Sequence, residues 1–234
     1  MNDTAEAEGL PPPARRHRPV RPRDAASLIV LRGEGRDLEL LAGRRPLHLR
    51  FMPGVYVFPG GAIDAADRRP WAVETEAPNL TPRLFACARA ALRETWEETG
   101  VLIAAPRTGP ASVPPHLPIE KAYAERGLAA AFDRLAYVGR AITPSRVFRR
   151  FNTRFFLCDA SLVVGEPRSN DEFEDVAWHP IGRRPLDPFR DVSQFMLARA
   201  IAMREGRADP DAPLFCTVGQ SRCIRVCREA LLSA

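Results

Sequence analysis

The sequence predicts an α/β domain with a mixed β-sheet, and three observations predict it. Two short apolar stretches in the first fifth of the chain are separated by glycines, as in a β-hairpin. A longer stretch, residues 82–99, has the start and stop signals of an amphipathic helix. After this helix, strand-like and helix-like stretches alternate.

The predicted hairpin consists of residues 27–32 and 38–42, with residues 33–35 as the turn between them. A third short strand, residues 55–58, runs directly into Pro59, Gly60 and Gly61. Two glycines after a strand allow backbone conformations that are closed to other residues. They also let the backbone approach a ligand or a metal ion closely.

A loop precedes the predicted helix, because residues 65–80 contain Pro70, Pro78 and mixed charges. Thr81 then supplies an N-cap and Pro82 the first helical position, and Gly100 ends the helix. The helix of residues 82–99 is about 27 Å long at about 1.5 Å per residue. Its buried stripe is predicted to contain Leu84, Ala88, Ala91, Leu92 and Thr95.

The later elements follow from the same patterns. Residues 119–126, 128–135 and 188–203 are predicted helices, and residues 137–142, 154–158 and 175–178 are predicted strands. Residues 1–24 are rich in Pro, Arg, Ala and Glu and are predicted to form a disordered tail. The domain is then expected to span residues 25–234, with a loop insertion at about 65–81 and a C-terminal helical extension.

Composition excludes several classes of protein. The net charge is +5, and residues 11–23 alone carry five arginines and no acid, so the rest of the chain is close to neutral and specific nucleic-acid binding is not expected. No apolar run is long enough for a bilayer and no signal peptide is evident, so we expect a cytoplasmic protein without membrane contact. The odd number of cysteines, five, argues against a disulfide scaffold, and no second Cys or His pair completes a zinc site.

Three carboxylates, Glu94, Glu97 and Glu98, lie close to the end of the predicted helix at spacings that place them on one face. Like charges at these spacings repel by about 0.2–0.5 kcal/mol per pair, and the helix macrodipole disfavours anions at a C-terminus. Such an unfavourable arrangement indicates that the three side chains hold a cation. Because the ligands would be hard oxygens, we expect Mg²⁺ or Mn²⁺.

The segment from Gly60 to Val101 resembles the Nudix box, the signature of the Nudix hydrolase family. The second half of that box, Arg-Glu-x-x-Glu-Glu-x-Gly and an aliphatic residue, is complete at residues 93–101. The family places its arginine fourteen residues after the second glycine, whereas Arg93 follows Gly61 by 32 residues, an insertion of 18. The early acidic position of the box falls on Asp67 if the insertion comes afterwards.

The interruption is similar to that in the Nudix branch containing the peroxisomal acyl-coenzyme A diphosphatase. Residues 51–67, 142–144 and 149–156 resemble this branch, although Asn152 stands where it usually has Asp. The coenzyme A signature of these enzymes is approximated by residues 40–61. The matched residues are Leu40, Leu41, Arg44 or Arg45, Arg50, Gly54 and residues 58–61.

The resemblance implies a Nudix fold, with a mixed β-sheet sandwiched between helices, and hydrolysis of a diphosphate bond. It implies Glu94, Glu97 and Glu98 as metal ligands, one of which doubles as a base, and the Gly61 carbonyl as a further ligand. Arg93 would hold a glutamate in position. Glu172 stands where many family members place a loop carboxylate that acts as base or extra ligand, and an ordinary surface loop is an equally good interpretation.

The substrate implied by the resemblance is a small molecule linked to a nucleoside diphosphate. Coenzyme A or acyl-coenzyme A would give a phosphopantetheine product and adenosine 3′,5′-bisphosphate, with Arg44, Arg45, Arg50, Gly60 and Gly61 binding the substrate. A solvent-exposed strand edge is the alternative for the arginines. Two other hypotheses stay open: hydrolysis of ADP-ribose or a dinucleotide, and a non-catalytic Nudix-like binding domain. The sequence does not distinguish a monomer from a homodimer.

Overall fold

A computed structural model describes residues 20–49, 52–78, 80–110, 114–145, 147, 149–218 and 221–227 of the chain. The helices in this part are α1 (Pro82–Thr99), α2 (Pro118–Glu125) and α3 (Asp191–Arg204). The strands are β1 (Arg23–Arg32), β2 (Glu39–Arg44), β3 (Tyr56–Val57), β4 (Gly60–Ala62), β5 (Leu102–Pro106), β6 (Leu128–Ala130), β7 (Ala136–Ile142), β8 (Phe151–Asp159), β9 (Val163–Val164), β10 (Glu174–Pro180), β11 (Pro213–Val218) and β12 (Ser221–Val226).

The main sheet is mixed, as predicted. Its strand order is β10-β2-β1-β8-β7-β11-β12, and the short strands β3 and β4 pair with β2 and β1. Strand β1 runs parallel to β8 but antiparallel to β2 and β4, and β7 and β8 are antiparallel to each other. A second, small sheet has the order β6-β5-β9. The predicted hairpin of β1 and β2 is therefore present, with Leu31 opposite Leu40.

Helices cover both faces of the main sheet, which confirms the predicted sandwich. Successive side chains of a strand point to opposite faces, so Leu28 and Val30 of β1 pack towards α1, while Ile29 and Leu31 pack towards α3. On the α3 side, Met196 and Ala200 are among the buried residues. None of the helices in the described ranges has the length and apolarity that crossing a bilayer requires.

Helix α1 has the bounds predicted from its caps. The Thr81 hydroxyl accepts a hydrogen bond from the Leu84 backbone N–H at 3.3 Å, which satisfies a donor of the first turn. At the other end Gly100 has a φ of 79°, a left-handed conformation that glycine adopts without strain, and its N–H donates to the Trp96 carbonyl at 2.8 Å. All members of the predicted stripe are buried. The caps set the ends of the helix, and burial of this stripe turns its glutamates towards another side.

Three predictions about the elements were wrong. Residues 128–135 form β6 and a 3₁₀ turn (Phe132–Arg134) instead of a helix, because Ala130 pairs with Ala104 in the second sheet. The segment after α3 forms the hairpin β11–β12, so the C-terminal extension is not helical throughout. The chain enters the sheet at Arg23, inside the predicted tail of residues 1–24, of which residues 1–19 lie outside the described ranges.

The inserted segment after Asp67 packs into the core although it is a loop. Trp71 is 2% exposed, and its ring lies 6.4 Å from that of Tyr123 and 5.5 Å from that of Phe132, measured between centroids. The Ala72 backbone N–H donates to the Glu120 carboxylate of α2 at 2.6 Å. Glu74 of the same segment accepts two hydrogen bonds from Arg89 of α1, at 2.9 and 2.8 Å. The insertion therefore joins α1 and α2 and contributes apolar surface to the core.

Candidate active site

The last two turns of α1 place four charged side chains beside β4. Arg93 and Glu98 are buried, with 7% and 4% exposure, and Glu94 has a side chain that is 16% exposed. Glu97 is more open, with 43% of its side chain exposed. The face on which the sequence predicts a cation site is thus largely withdrawn from water.

The two glycines of β4 bring the backbone against these glutamates. The Gly60 N–H donates to Glu98 Oε2 at 2.7 Å. Gly60 has a φ of 154°, and a Cβ there would lie 2.3 Å from the Ala26 carbonyl oxygen, so only glycine fits. A Cβ on Gly61 would lie 2.4 Å from the Glu94 carboxylate carbon. Gly60 therefore allows the close approach to β1, and Gly61 leaves the space that the Glu94 carboxylate occupies.

Arg93 organises the carboxylates through a buried ion-pair network. Its Nε and Nη2 donate to the two oxygens of Asp67 at 3.0 and 2.9 Å, and Asp67 is fully buried. Its Nη1 donates to Glu94 Oε1 at 3.0 Å and to Glu97 Oε2 at 2.8 Å. Burial alone lowers the pKa of Arg93, but the hydrogen bonds and charges of these acids raise it overall. Asp67, at the early acidic position of the box, thus anchors Arg93.

The glutamates do not form a complete ligand set as they stand. In the described part of the chain, no group of three or more His, Cys, Asp or Glu side chains is arranged so that it could hold a metal ion. Glu94 and Glu97 instead share Arg93 Nη1, and Glu98 takes the Gly60 N–H. The candidate ligand atoms nevertheless fit a hard divalent cation, because the side chains of Glu94, Glu97 and Glu98 all offer carboxylate oxygens.

Burial is the main cause of the raised pKa values of two of these carboxylates, Glu94 and Glu98. Burial raises the pKa of Glu94 to about 7, against an ordinary value of 4.5; Arg93 opposes the shift, and Glu97 and Glu172 add to it. Burial also raises the pKa of Glu98 well above its ordinary range, opposed by the Gly60 N–H. A cation beside these groups would favour their charged forms, so a cation site is physically consistent with their positions.

In metal-free protein, Glu94 is expected to make folding less favourable as the pH rises. Its pKa is higher in the folded state, so its stabilising contribution is present below the ordinary value of 4.5 and is lost as the pH rises through about 7. The free energy of unfolding should be measured in urea with a chelator from about pH 5 to about pH 8 for the wild type and Glu94→Gln. The difference, wild type minus variant, should fall with rising pH, and a constant difference would contradict the assignment.

The loop before β10 holds Glu172 against the end of α1 through a residue that the sequence did not indicate. Asn170 Nδ2 donates to the carbonyls of Glu97 and Glu98 at 2.9 and 3.1 Å. Its Oδ1 accepts from the backbone N–H groups of Glu172 and Phe173 at 2.9 and 3.0 Å. The charge of Glu172, an exposed side chain, also contributes to the raised pKa of Glu98.

Replacing Asn170 with alanine is expected to lower kcat about 10- to 100-fold with a smaller change in KM, because the loop would lose its attachment to α1. Asn170→Asp keeps an acceptor for the loop but loses the donor to the α1 carbonyls, so it should not restore kcat. Steady-state kinetics on the hydrolysed substrate measure both constants. Asp171→Asn, an exposed change in the same loop, is the matched control. Equal kcat values for Asn170→Ala and the control would exclude this positioning role.

The three arginines predicted to bind substrate do not act as one group. Burial lowers the pKa of Arg45, while the charges of Glu98 and Glu172 raise it, so Arg45 lies near the glutamate face. Arg44 instead contacts Glu174, with Nη2 and Oε2 3.3 Å apart, and its Nε is buried without a hydrogen-bond partner. Arg50 lies outside the described residues. Of the two arginines in the described residues, Arg45 lies towards the glutamates and Arg44 does not.

Asn152, where the resembling branch usually carries Asp, belongs to a network between β1, β7 and β8. Its Nδ2 donates to Asp24 Oδ1 at 2.6 Å, and its Oδ1 accepts from Arg140 Nε at 2.6 Å. Asp24 also accepts from Nη1 of the fully buried Arg154 at 2.8 Å. Asp24 thus gives Arg154 a carboxylate partner, and the network needs no carboxylate at position 152.

Comparison with known proteins gives the family. The structure matches a crystal structure of a NUDIX hydrolase from Alicyclobacillus acidocaldarius with a TM-score of 0.57 and 33% identity, covering 79% of this chain and 96% of that one. The curated relatives include the acyl-coenzyme A diphosphatase NUDT19 of Homo sapiens, 28% identical over 60% of this chain, and that of Gallus gallus, 29% identical over 66%. No family model matches the sequence.

The chain belongs to the Nudix hydrolase family, a family of enzymes. Its likeness to the acyl-coenzyme A diphosphatases agrees with the branch inferred from the interrupted box. The chain spans 56% and 59% of the lengths of these two relatives. Fold class and family are thus confirmed predictions.

Proposed function

We propose that this protein is a divalent-metal-dependent hydrolase that cleaves the diphosphate bond of coenzyme A or acyl-coenzyme A. The products would be a phosphopantetheine and adenosine 3′,5′-bisphosphate. The observation that carries the reaction class is the close approach of Glu98 to the Gly60 backbone and of Glu94 to Gly61, on one helix face. The names of the two curated relatives support the choice of coenzyme A.

Glu94, Glu97 and Glu98 would hold Mg²⁺ or Mn²⁺, together with the Gly61 carbonyl. Chemistry supplied by such a cation is neutralisation of phosphate charge and activation of a water molecule. The buried position of Glu94 and Glu98 supports this role, since charge interactions are stronger where water is excluded.

Other side chains of this protein would position the carboxylates, bind the phosphate and accept a proton. Arg93, fixed by Asp67, sets the positions of the Glu94 and Glu97 carboxylates. Arg45 is the arginine best placed to bind a phosphate, because it is half-buried near the glutamate face and its fork of donors matches phosphate oxygens. Glu172 is the candidate to accept the proton of the attacking water, as an exposed carboxylate held at the end of α1.

A panel of diphosphates tests the proposal. Coenzyme A, an acyl-coenzyme A, ADP-ribose and a diadenosine polyphosphate would each be incubated with the full chain and Mg²⁺ or Mn²⁺, and the products identified by mass spectrometry. We expect adenosine 3′,5′-bisphosphate from the coenzyme A substrates and no turnover with a chelator. Turnover of ADP-ribose or the dinucleotide alone would reject the coenzyme A assignment and keep the reaction class. A protein inactive on the whole panel would contradict both.

A further inference from the structure

The hairpin β11–β12 places two cysteines directly opposite each other at the edge of the main sheet. Cys216 of β11 is the register partner of Cys223 of β12, and both are free thiols of intermediate exposure. Directly opposed residues of antiparallel strands have Cα atoms about 4.5–5.5 Å apart. A disulfide spans Cα separations of about 4.4–6.8 Å, so this pair can be bridged without moving the strands apart.

The two sulfur atoms are neighbours with a cation beside them. Burial raises the pKa of Cys216, and a hydrogen bond with the Cys223 thiol raises it further, which places the two side chains in contact. Arg225 Nε donates to Cys223 Sγ at 3.3 Å. A guanidinium at this distance stabilises negative charge that develops on the sulfur during reaction. Cys223 is therefore the better placed of the two to attack first.

The hairpin is held in place without any cross-link. Strand β11 pairs with β7, where Leu214 lies opposite Arg140. The ring of Phe215 packs against that of Phe195 of α3, with centroids 5.3 Å apart. An ion pair joins Arg222 of β12 to the first residue of α3. These contacts keep the two thiols opposite each other in the reduced protein.

The other three cysteines are in surroundings that suppress reaction. Cys87 and Cys158 are 0% and 2% exposed in the core, and burial raises the pKa of Cys158 strongly. Cys227 is 3% exposed, with its Sγ 3.5 Å from the Tyr137 hydroxyl. The cysteines of this chain thus divide into a paired, accessible set and a buried set.

We propose that Cys216 and Cys223 form a dithiol site that reacts with small-molecule disulfides and closes a bond across β11 and β12. The Cys223 thiolate attacks the disulfide, forms a mixed disulfide and releases one thiol. The Cys216 thiolate then attacks the Cys223 sulfur and releases the second thiol. Two protein thiols are oxidised to one disulfide, one small-molecule disulfide is reduced to two thiols, and the two protons pass to the released thiols or to water.

Thiol titration and peptide mapping test the site independently of the hydrolase activity. The reduced full chain would be incubated with oxidised glutathione, alkylated under denaturing conditions and digested. We expect loss of two of the five thiols, a peptide pair joined through Cys216 and Cys223, and recovery of all five with dithiothreitol. Five remaining thiols, or a cross-link between two copies of the chain in its place, would overturn the proposal.

Single-cysteine variants separate the two steps. Cys216→Ser should stop at the mixed disulfide and carry one glutathione on Cys223. Cys223→Ser should be modified more slowly at Cys216, because it lacks the adjacent guanidinium. Equal rates in the two variants would remove the assigned order of attack, and a wild type that carries two glutathiones without a cross-link would overturn the site itself. If a variant fails to fold, peptide mapping of the wild type still shows whether Cys216 and Cys223 become linked.

Discussion

Replacing Glu98 with glutamine is expected to lower kcat/KM for the hydrolysed diphosphate by about 10²–10³-fold. Glutamine keeps an oxygen that can accept the Gly60 N–H, now at 2.7 Å, so the local backbone should be retained. The substitution removes the carboxylate of Glu98, a residue that is 4% exposed and lies on the same helix face as Glu94. Because Glu98 would be a ligand of the cation, losing its charge weakens the neutralisation of phosphate charge in the transition state, and the effect should appear mainly in kcat.

The matched control for this change is Glu125→Gln on α2. Glu125 is an exposed glutamate at the end of a helix, and no role in the site is assigned to it. The control should keep wild-type kcat/KM, and circular dichroism should show both variants folded. If Glu98→Gln retained the activity of the control, the glutamate face of α1 would not be the reaction site.

Replacing Arg93 with methionine is expected to lower the free energy of unfolding by about 3–5 kcal/mol. Asp67 is fully buried and accepts two hydrogen bonds from Arg93, so the change leaves an unpaired carboxylate in the interior. Removing one partner of a buried pair costs far more than the net value of the pair. Urea unfolding of metal-free protein near neutral pH measures the loss.

The double variant Arg93→Met, Asp67→Leu separates this effect from catalysis. With both charges gone, most of the lost stability should return, and the coupling free energy of the double-mutant cycle should be large. Activity should not return, because Glu94 and Glu97 lose the guanidinium that positions them. A double variant no more stable than Arg93→Met would show that the pair is not the origin of the loss.

Local signals in the sequence predicted the elements that depend on local chemistry. Thr81, Pro82 and Gly100 fixed the bounds of α1, because capping groups act on backbone atoms within one turn. The spacing of Glu94, Glu97 and Glu98 followed from the same helix. The face of α1 that carries the candidate site was therefore predictable before the sheet was known.

Features that depend on distant contacts were not predictable from the chain alone. Asn170 reaches the end of α1 from a position 72 residues away, and nothing near it marks that contact. The strand at Leu128–Ala130 forms because a partner strand lies beside it, although its apolar spacing also fits a helix. Arg44 and Arg45 are adjacent in sequence, yet Arg44 contacts Glu174 while the pKa of Arg45 is raised by the charges of Glu98 and Glu172, and only the three-dimensional structure distinguishes them.

Binding of Mn²⁺ in the absence of substrate tests the central claim, that the glutamate face of α1 holds a divalent cation. Calorimetric titration of the wild type should show saturable binding, and Glu98→Gln should bind at least about 10-fold more weakly. Glu125→Gln should match the wild type. Indistinguishable isotherms for the wild type and Glu98→Gln, or no binding by the wild type, would contradict a metal site on this face.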